Sequence, residues 1–293
     1  MKTLLLSFKM ITIFAAMFFL ITGCAKKIPP ETDKSVEFCN LIIKEFVCEQ
    51  LGKEDNQITA EDLMSIKLFR YYGEYDEDNN PCLFDVQDLR MMPNLENIEI
   101  QTVKFENIEA LNSLTKLTGI WFRYCQFVRL PLLEAANLES VTVRDNSELT
   151  DISGLSGAVN LRWLQISDCT ALSDISVLEK MTQLEHLSLR HTAANDISFV
   201  QNMRKLETLD LYKSTEIKDL SPVLVLTQLK ELRIMNTGAA HLYLTKDPQT
   251  IAQYEAIKEA LPECKIQFGI VPVVDFAEED WENHVVEYHK KNN

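Results

Sequence analysis

The sequence predicts an α/β solenoid, a stack of units about 22 residues long, each a short strand, a turn and a helical or 3₁₀ return. Two observations predict it. The pattern apolar-x-x-apolar-x-apolar recurs as LENIEI, LTGIWF, LESVTV, LRWLQI, LEHLSL, LETLDL and LKELRI. These copies start at Leu95, Leu117, Leu138, Leu161, Leu184, Leu206 and Leu229, at spacings of 22, 21, 23, 23, 22 and 23 residues. A second column of apolar pairs three apart keeps step with them: Val86/Leu89, Ile108/Leu111, Leu130/Leu133, Ile152/Leu155, Ile175/Leu178, Ile197/Val200 and Leu220/Val223. One such unit cannot bury its apolar edge alone, so the units must stack and share a continuous core.

An eighth copy, LMSIKL, starts at Leu63 and lies 32 residues before the next, which implies an insertion in the first repeat. The shared pattern is the leucine-rich-repeat signature L-x-x-L-x-L-x-x-N/C, so the fold expected is a leucine-rich-repeat solenoid of seven to eight repeats over residues 63–242. Within that class, the period near 22 and the tags TDIS, SDIS, NDIS and KDLS, from Thr150, Ser173, Asn195 and Lys218, resemble bacterial internalin-like proteins, over roughly residues 58–242. Parallel strands ~4.8 Å apart would give a ladder ~34 Å long for eight strands.

Counting from the first apolar residue of each unit, position +8 should satisfy backbone groups in the turn. It holds Val103, Cys125, Asn146, Cys169, Thr192, Ser214 and Thr237, six of which can hydrogen-bond. Two cysteines are thereby explained without chemistry.

The solenoid needs caps. Residues 35–62 are expected to form a helical N-terminal cap. Phe38, Leu41, Ile42, Phe46 and Leu51 fall at helical spacing and Gly52 suits a helix stop. Thr59, with Asp62 three residues on, suits the start of a second helix. The segments VEF, LGK and ITAEDL are similar to the N-terminal caps of internalin-like proteins. Residues 243–293 are expected to form a mixed cap and a charged tail. There Asp247-Pro248 opens a helix carrying Ile251, Tyr254, Ile257 and Leu261 on one side, followed by a closing strand in LPECKIQF.

Residues 1–23 read as a secretory signal, with Lys2 and Lys9 before an apolar run from Met10 to Ile21. The stretch Ile21-Thr22-Gly23-Cys24 resembles the lipobox of bacterial lipoproteins, which implies that Cys24 carries the lipid. Several acyl chains anchor a protein stably without a spanning helix. Residues 24–34, with Pro29-Pro30, read as a short stiff tether. The chain is expected to be exported and anchored to the bacterial membrane at the surface or envelope, as a monomer. Its net charge is −15, and without Lys2 and Lys9 it is −17, which argues against nucleic acid as a partner.

The remaining cysteines are not spaced for chemistry. Cys125 and Cys169 lie two repeats apart, ~10 Å, beyond disulfide reach. Cys39 and Cys48 fall nine residues apart on the expected helix, ~13 Å. Export permits one bridge, from Cys39 or Cys48 to Cys82, and free thiols are the other reading. Cys264 falls in the C-terminal cap.

No nucleophile elbow, HExxH, P-loop or dinucleotide fingerprint occurs. The histidines of HVVEYH, His284 and His289, are five apart and miss the zinc patterns. In EYDEDNNP, residues 74–81, Asp76, Asp78 and Asn80 alternate like a calcium loop. Pro81 stands where such a loop needs Gly, and Gln87 where it needs Glu, so a hydrophilic insertion is expected. No catalytic residue, metal site or cofactor is expected.

Repeat register assigns positions +2, +4, +6 and +7 to the concave strand face. The +4 and +6 columns begin with Lys67 and Phe69 in the copy at Leu63. Over the middle repeats these positions hold Trp121, Arg123, Tyr124, Arg144, Trp163, His186, Arg190 and Tyr212, an aromatic and basic strip. Trp, Tyr and Arg dominate binding hot spots. A basic strip on so acidic a chain suits an acidic or carboxylate-bearing ligand. The function expected is therefore non-catalytic recognition of a protein or glycan at the bacterial surface. The alternatives are a structural envelope lipoprotein without a specific ligand, and an envelope hydrolase with an unrecognised site.

Overall fold

The computed structural model describes residues 36–131 and 137–270. The signal, tether, Cys24 and the charged tail lie outside them. The chain divides into two compact units, residues 1–59 and 60–293.

The first unit contains helix α1, Leu41–Leu51. Asn40 caps it, its Oδ1 accepting from the backbone N–H of Ile42 at 2.8 Å and Ile43 at 3.2 Å. Gly52 ends it in the left-handed region at φ 62°, where a residue without Cβ carries no steric cost. The expected apolar face is corrected: Ile43 and Val47 are the buried residues, while Leu41 is 56% exposed. Cys39 precedes the cap and is not in the helix.

The second unit opens with the short helix α2, Ala60–Met64, and is the leucine-rich-repeat solenoid. Its strands are β1 (Leu68–Tyr72), β2 (Cys82–Asp85), β3 (Asn97–Gln101), β4 (Val103–Glu106), β5 (Gly119–Arg123), β6 (Ser140–Arg144), β7 (Trp163–Ser167), β8 (His186–Ser188), β9 (Thr208–Asp210), β10 (Glu231–Arg233) and β11 (Lys265–Gln267). Among the described residues nine strands form one parallel sheet in the order β1-β3-β5-β6-β7-β8-β9-β10-β11, and β2 pairs with β4 in a small second sheet. The expected closing strand, β11, is thus the ninth rung, parallel to β10.

The first and second apolar columns line the core. Leu95, Leu138, Leu161, Leu184 and Leu206 are fully buried, as are Val86, Leu89, Leu155, Leu178 and Val200. The second column sits on 3₁₀ turns such as Ser153–Gly157, Ser176–Lys180 and Ser198–Asn202. The tags supply the local chemistry of these turns. Asp151, Asp174, Asp196 and Asp219 each accept the backbone N–H two residues on, from Ser153, Ser176, Ser198 and Ser221. Hydrogen bonds to the charged form hold the Asp151, Asp174 and Asp219 carboxyls below the usual aspartate range.

The +8 column closes each turn from inside. Asn146 Nδ2 donates to Phe127 O at 3.0 Å, Ser214 Oγ to Leu189 O at 2.7 Å, Thr237 Oγ1 to Ile234 O at 2.9 Å, and Cys125 Sγ to Ile100 O at 3.4 Å. Preceding it is a column that residue type does not announce. Thr102, Tyr124, Asp145, Asp168, His191, Lys213 and Asn236 all occupy the left-handed region at φ between 51° and 61°. Each donates its N–H to the +6 carbonyl of the next rung, as Tyr124 to Arg144 O at 3.1 Å and Asp168 to Arg190 O at 2.9 Å. That recurring bond offsets the cost of left-handed backbone.

The first repeat corrects the expected register. Phe69 stands opposite Ile98, Arg70 opposite Glu99 and Tyr72 opposite Gln101. The unit therefore starts at Ile66, because Leu63 belongs to α2. A shift of three residues exchanges the two faces. Phe69 points inward at 0% exposure, and Arg70 and Tyr72 replace Lys67 and Phe69 in the outward columns. The insertion that follows is hydrophilic. Asp76 Oδ1 accepts from the backbone N–H of Asp78 at 3.0 Å and Asn80 at 2.7 Å, which closes the loop on itself.

Pro248 opens helix α4, Pro248–Ala260, with Asp247 as its cap accepting from Thr250 N at 2.8 Å. Before it runs α3, Gly238–Leu244, which takes the place of a 3₁₀ return in the last repeat. Tyr254 of α4 stacks on Phe268 at 4.1 Å, and Tyr243 of α3 meets both rings edge-on. The six described cysteines are free thiols, so neither Cys39 nor Cys48 bridges to Cys82.

Candidate interaction surface

The sheet face opposite the core, called here the ladder face, is built from the +2, +4 and +6 columns. Its strands are in register rung by rung: Glu99, Trp121, Thr142, Gln165, Ser188 and Asp210 follow one another, as do Gln101, Arg123, Arg144 and Ser167. All eight residues singled out in the sequence lie on this face or on the left-handed column at its edge. The structure does not leave them equally open. Trp121, Arg123, Tyr124, His186 and Arg190 are half-buried, whereas Arg144, Trp163 and Tyr212 are 4%, 1% and 6% exposed. Register fixes which way a side chain points, and points alike for covered and open rungs.

The strip is held by contacts between rungs. Trp163 of β7 lies against His186 of β8, with ring centroids 4.6 Å apart, and His186 Nδ1 meets Thr208 Oγ1 of β9 at 3.1 Å. Arg123 and Arg190 lie over the rings of Tyr124 and Tyr212 at 4.8 and 4.9 Å, in cation–π geometry.

The strip also contains acids that the search for aromatic and basic residues missed. Arg123 Nε pairs with Asp145 Oδ2 at 3.1 Å. Asp168 lies 3.7 Å from Arg190 and 2.9 Å from His191 Nδ1. Arg233 lies 3.0 Å from Glu231 and 3.8 Å from Asp210. The expected basic strip is thus an alternation of paired charges. The signal was in the sequence: Asp145 and Asp168 occupy the same +7 column as Tyr124. Burial pushes the Asp145 and Asp210 carboxyls up, against the pull of their arginines.

At the β1 end the face is open. Tyr72 is 55% exposed and meets Trp121 edge-to-face at 6.4 Å. Its hydroxyl donates to Glu99 Oε2 at 3.1 Å, and Arg70 clamps the same carboxylate at 2.6 and 3.1 Å. Tyr75, on the insertion, is 47% exposed. The sequence register of the first repeat, three residues early, hides Tyr72, and Tyr75 belongs to no repeat column because it stands on the insertion.

What this surface offers is aromatic area and directed hydrogen-bonding groups. Among the described residues no group of three or more His, Cys, Asp or Glu side chains is placed to hold a metal ion.

The fold matches solved structures. Internalin C2 of Listeria monocytogenes aligns with a TM-score of 0.57 at 22% identity, over 66% of this chain and 83% of that one. A second internalin of that species, inlF, aligns with a TM-score of 0.57 at 21% identity, over 78% of this chain and 74% of that one. Likeness at this identity establishes the leucine-rich-repeat fold. Among curated proteins, a probable disease resistance protein of Arabidopsis thaliana is 30% identical over 156 residues, which is 53% of this chain and only 15% of that protein. No protein-family model matches the chain.

Proposed function

We propose that this chain is a non-catalytic recognition module that binds a protein or glycan partner across its ladder face. The observation that carries the reading is the open aromatic patch at the β1 end: Tyr72 and Trp121 in edge-to-face contact above the Arg70–Glu99 pair. Rigid aromatic rings with a directed polar rim are the composition of binding hot spots. They stand here on a hydrogen-bonded ladder, so little ordering is needed on binding. The internalin-like fold supports the same reading by analogy.

The reading extends to the cell surface through residues 1–24. A signal followed by Cys24 in a lipobox-like setting would tether the module to a membrane by lipid. Cys24→Ser should move the protein from the membrane fraction to the soluble one without changing its thermal midpoint.

The test of binding is capture from host-surface and bacterial-envelope extracts, with a folded Tyr72→Ser/Trp121→Ala variant alongside. A partner retained by the parent chain and lost by the variant supports the reading. Equal retention moves the site off this patch.

A further inference from the structure

Arg123 and Arg233 of the ladder face each have an acid beside them, Asp145 and Glu231. Lys213, at the edge where the last rungs turn into their returns, differs. Its Nζ lies 5.4 Å from the ring centre of Tyr212, and among the described residues no acid pairs with it. Lys213 lines an open cavity of about 510 Å³. That volume falls within the range of small-ligand sites, roughly 300–1,000 Å³.

The repeat itself builds this cavity. His191, Lys213 and Asn236, all in its lining, are consecutive members of the left-handed column and stand on neighbouring rungs, ~4.8 Å apart. Their backbones are tied down, each N–H donating across the ladder: to Tyr212 O at 2.8 Å, Met235 O at 3.1 Å and Gly269 O at 3.0 Å. A carboxylate only accepts, so His191 donates from Nδ1 to Asp168 at 2.9 Å, and Nε2 is the remaining polar atom of its ring. Helix α3 adds His241, which is exposed. The start of α3 is pinned to the preceding repeat, since a Cβ at Gly238 would clash with Thr215 O. Thr170, Thr215 and Glu216 are exposed members of the lining, and Ala193 and Ile270 add apolar surface.

We propose that this cavity binds an acidic sugar, a ring carrying one carboxylate and several hydroxyls. Lys213 takes the carboxylate in a charge-assisted hydrogen bond, roughly twice as strong as a neutral one. The ring hydroxyls find donors and acceptors in Thr170, Thr215, His191 and His241. Glu216, which accepts from Thr215 Oγ1 at 3.4 Å, accepts from a hydroxyl of the sugar as well. It also repels a second negative charge, so the site favours a carboxylate over a phosphate dianion. Ala193 and Ile270 meet the C–H face of the ring. The site does not include the Tyr72–Trp121 patch, so it goes beyond the proposed recognition function, and either can fail alone.

The test is isothermal titration of the full chain with two acidic sugars, D-glucuronate and N-acetylneuraminate, and with D-glucose and glucose 6-phosphate as controls. At least one acidic sugar is expected to bind saturably, with glucose at least tenfold weaker. A glucuronate-ended oligosaccharide is titrated beside the free sugars: binding there supports a glycan end as the source, and binding of the free sugar alone supports a free sugar acid. Lys213→Gln should weaken binding about tenfold or more, as loss of a charged hydrogen bond does, at an unchanged thermal midpoint. Where that variant melts lower, His241→Gln carries the test, with a loss of at least threefold. The Tyr72→Ser/Trp121→Ala variant should bind the sugars as the parent does. The proposal is overturned by no binding of any acidic sugar, by equal binding of glucose, or by tighter binding of glucose 6-phosphate. It is equally overturned by folded Lys213 and His241 variants that bind like the parent, or by loss of binding in the Tyr72/Trp121 variant.

Discussion

Arg123 and Asp145, on adjacent rungs, pair at 3.1 Å while the guanidinium lies 4.8 Å over the ring of Tyr124. Both partners are largely withdrawn from water, with side chains 17% and 20% exposed. Burial outweighs the pairing in its effect on the acid, and the same holds for Asp210 between Arg190 and Arg233. A carboxyl raised in the folded state binds protons more readily there than in the unfolded chain. Its contribution to stability is therefore fully present below the ordinary aspartate value and is lost as pH rises through the raised value. Asp210→Asn removes that titration while its amide oxygen can still accept from Tyr212 N, at 2.9 Å in the parent. The midpoint of the variant relative to the parent should climb as pH goes from 3.5 to 6.5, measured by thermal melts. A falling difference would show that the arginines dominate.

The corrected first register makes opposite claims for two aromatic residues three positions apart. Phe69 is fully buried within 6.1 Å of the Phe84 ring, and Tyr72 is 55% exposed. Phe69→Ala should cost about 3–5 kcal/mol. Tyr72→Ala should cost less than about 1 kcal/mol, as exposed positions do. Urea unfolding of the two variants checks both, and similar losses would restore the original register.

The +8 column predicts a specific loss. Ser214 Oγ donates to Leu189 O at 2.7 Å and accepts from Thr192 N at 3.5 Å, at 0% exposure. Ser214→Ala removes the acceptor of the buried Thr192 N–H and one of the two donors to Leu189 O, Thr192 Oγ1 remaining at 2.9 Å, and should destabilise by about 1–3 kcal/mol. Thr215→Ala, one residue on and exposed, should be near neutral in the same titration.

Thiol chemistry should separate the cysteines. Burial pushes Cys125 and Cys169 up to about 12, so neither forms thiolate near neutral pH. Cys39 is exposed. Iodoacetamide at pH 8 should alkylate Cys39 in the folded protein and leave Cys125 and Cys169 unmodified until denaturant is added. Mass spectrometry of the digests reads the result, and early labelling of Cys169 would contradict its place in the core.

Much of this molecule was legible in its sequence because two apolar columns in step leave few alternatives for where Leu95 to Leu229 can go. The small polar column at +8 was legible for the same reason. The first repeat was not, since LMSIKL and IKLFRY both satisfy a loose apolar pattern; the choice was made by α2, which takes Leu63 into a helix turn. The left-handed column was hidden because Thr102, Tyr124, Asp145 and Lys213 share no residue type, only a backbone bond to the next rung. On the candidate surface, register placed Trp121 and Trp163 on one face, but it carries no information on cover, and Trp163 is 1% exposed while Trp121, in the neighbouring outward column on β5, is half-buried. Pairing of Arg123 by Asp145 depends on the neighbouring rung, which a search within each repeat does not see.

The most direct test of the central claim is hydroxyl-radical footprinting of the full chain before and after capture of its partner. The account predicts protection at Tyr72, Tyr75 and Trp121, with Val159 and Val225, exposed at 47% and 36% and off the ladder face, labelled as before. Protection of Val159 and Val225 with Tyr72 and Trp121 unchanged would contradict it and place recognition on the opposite side of the repeats.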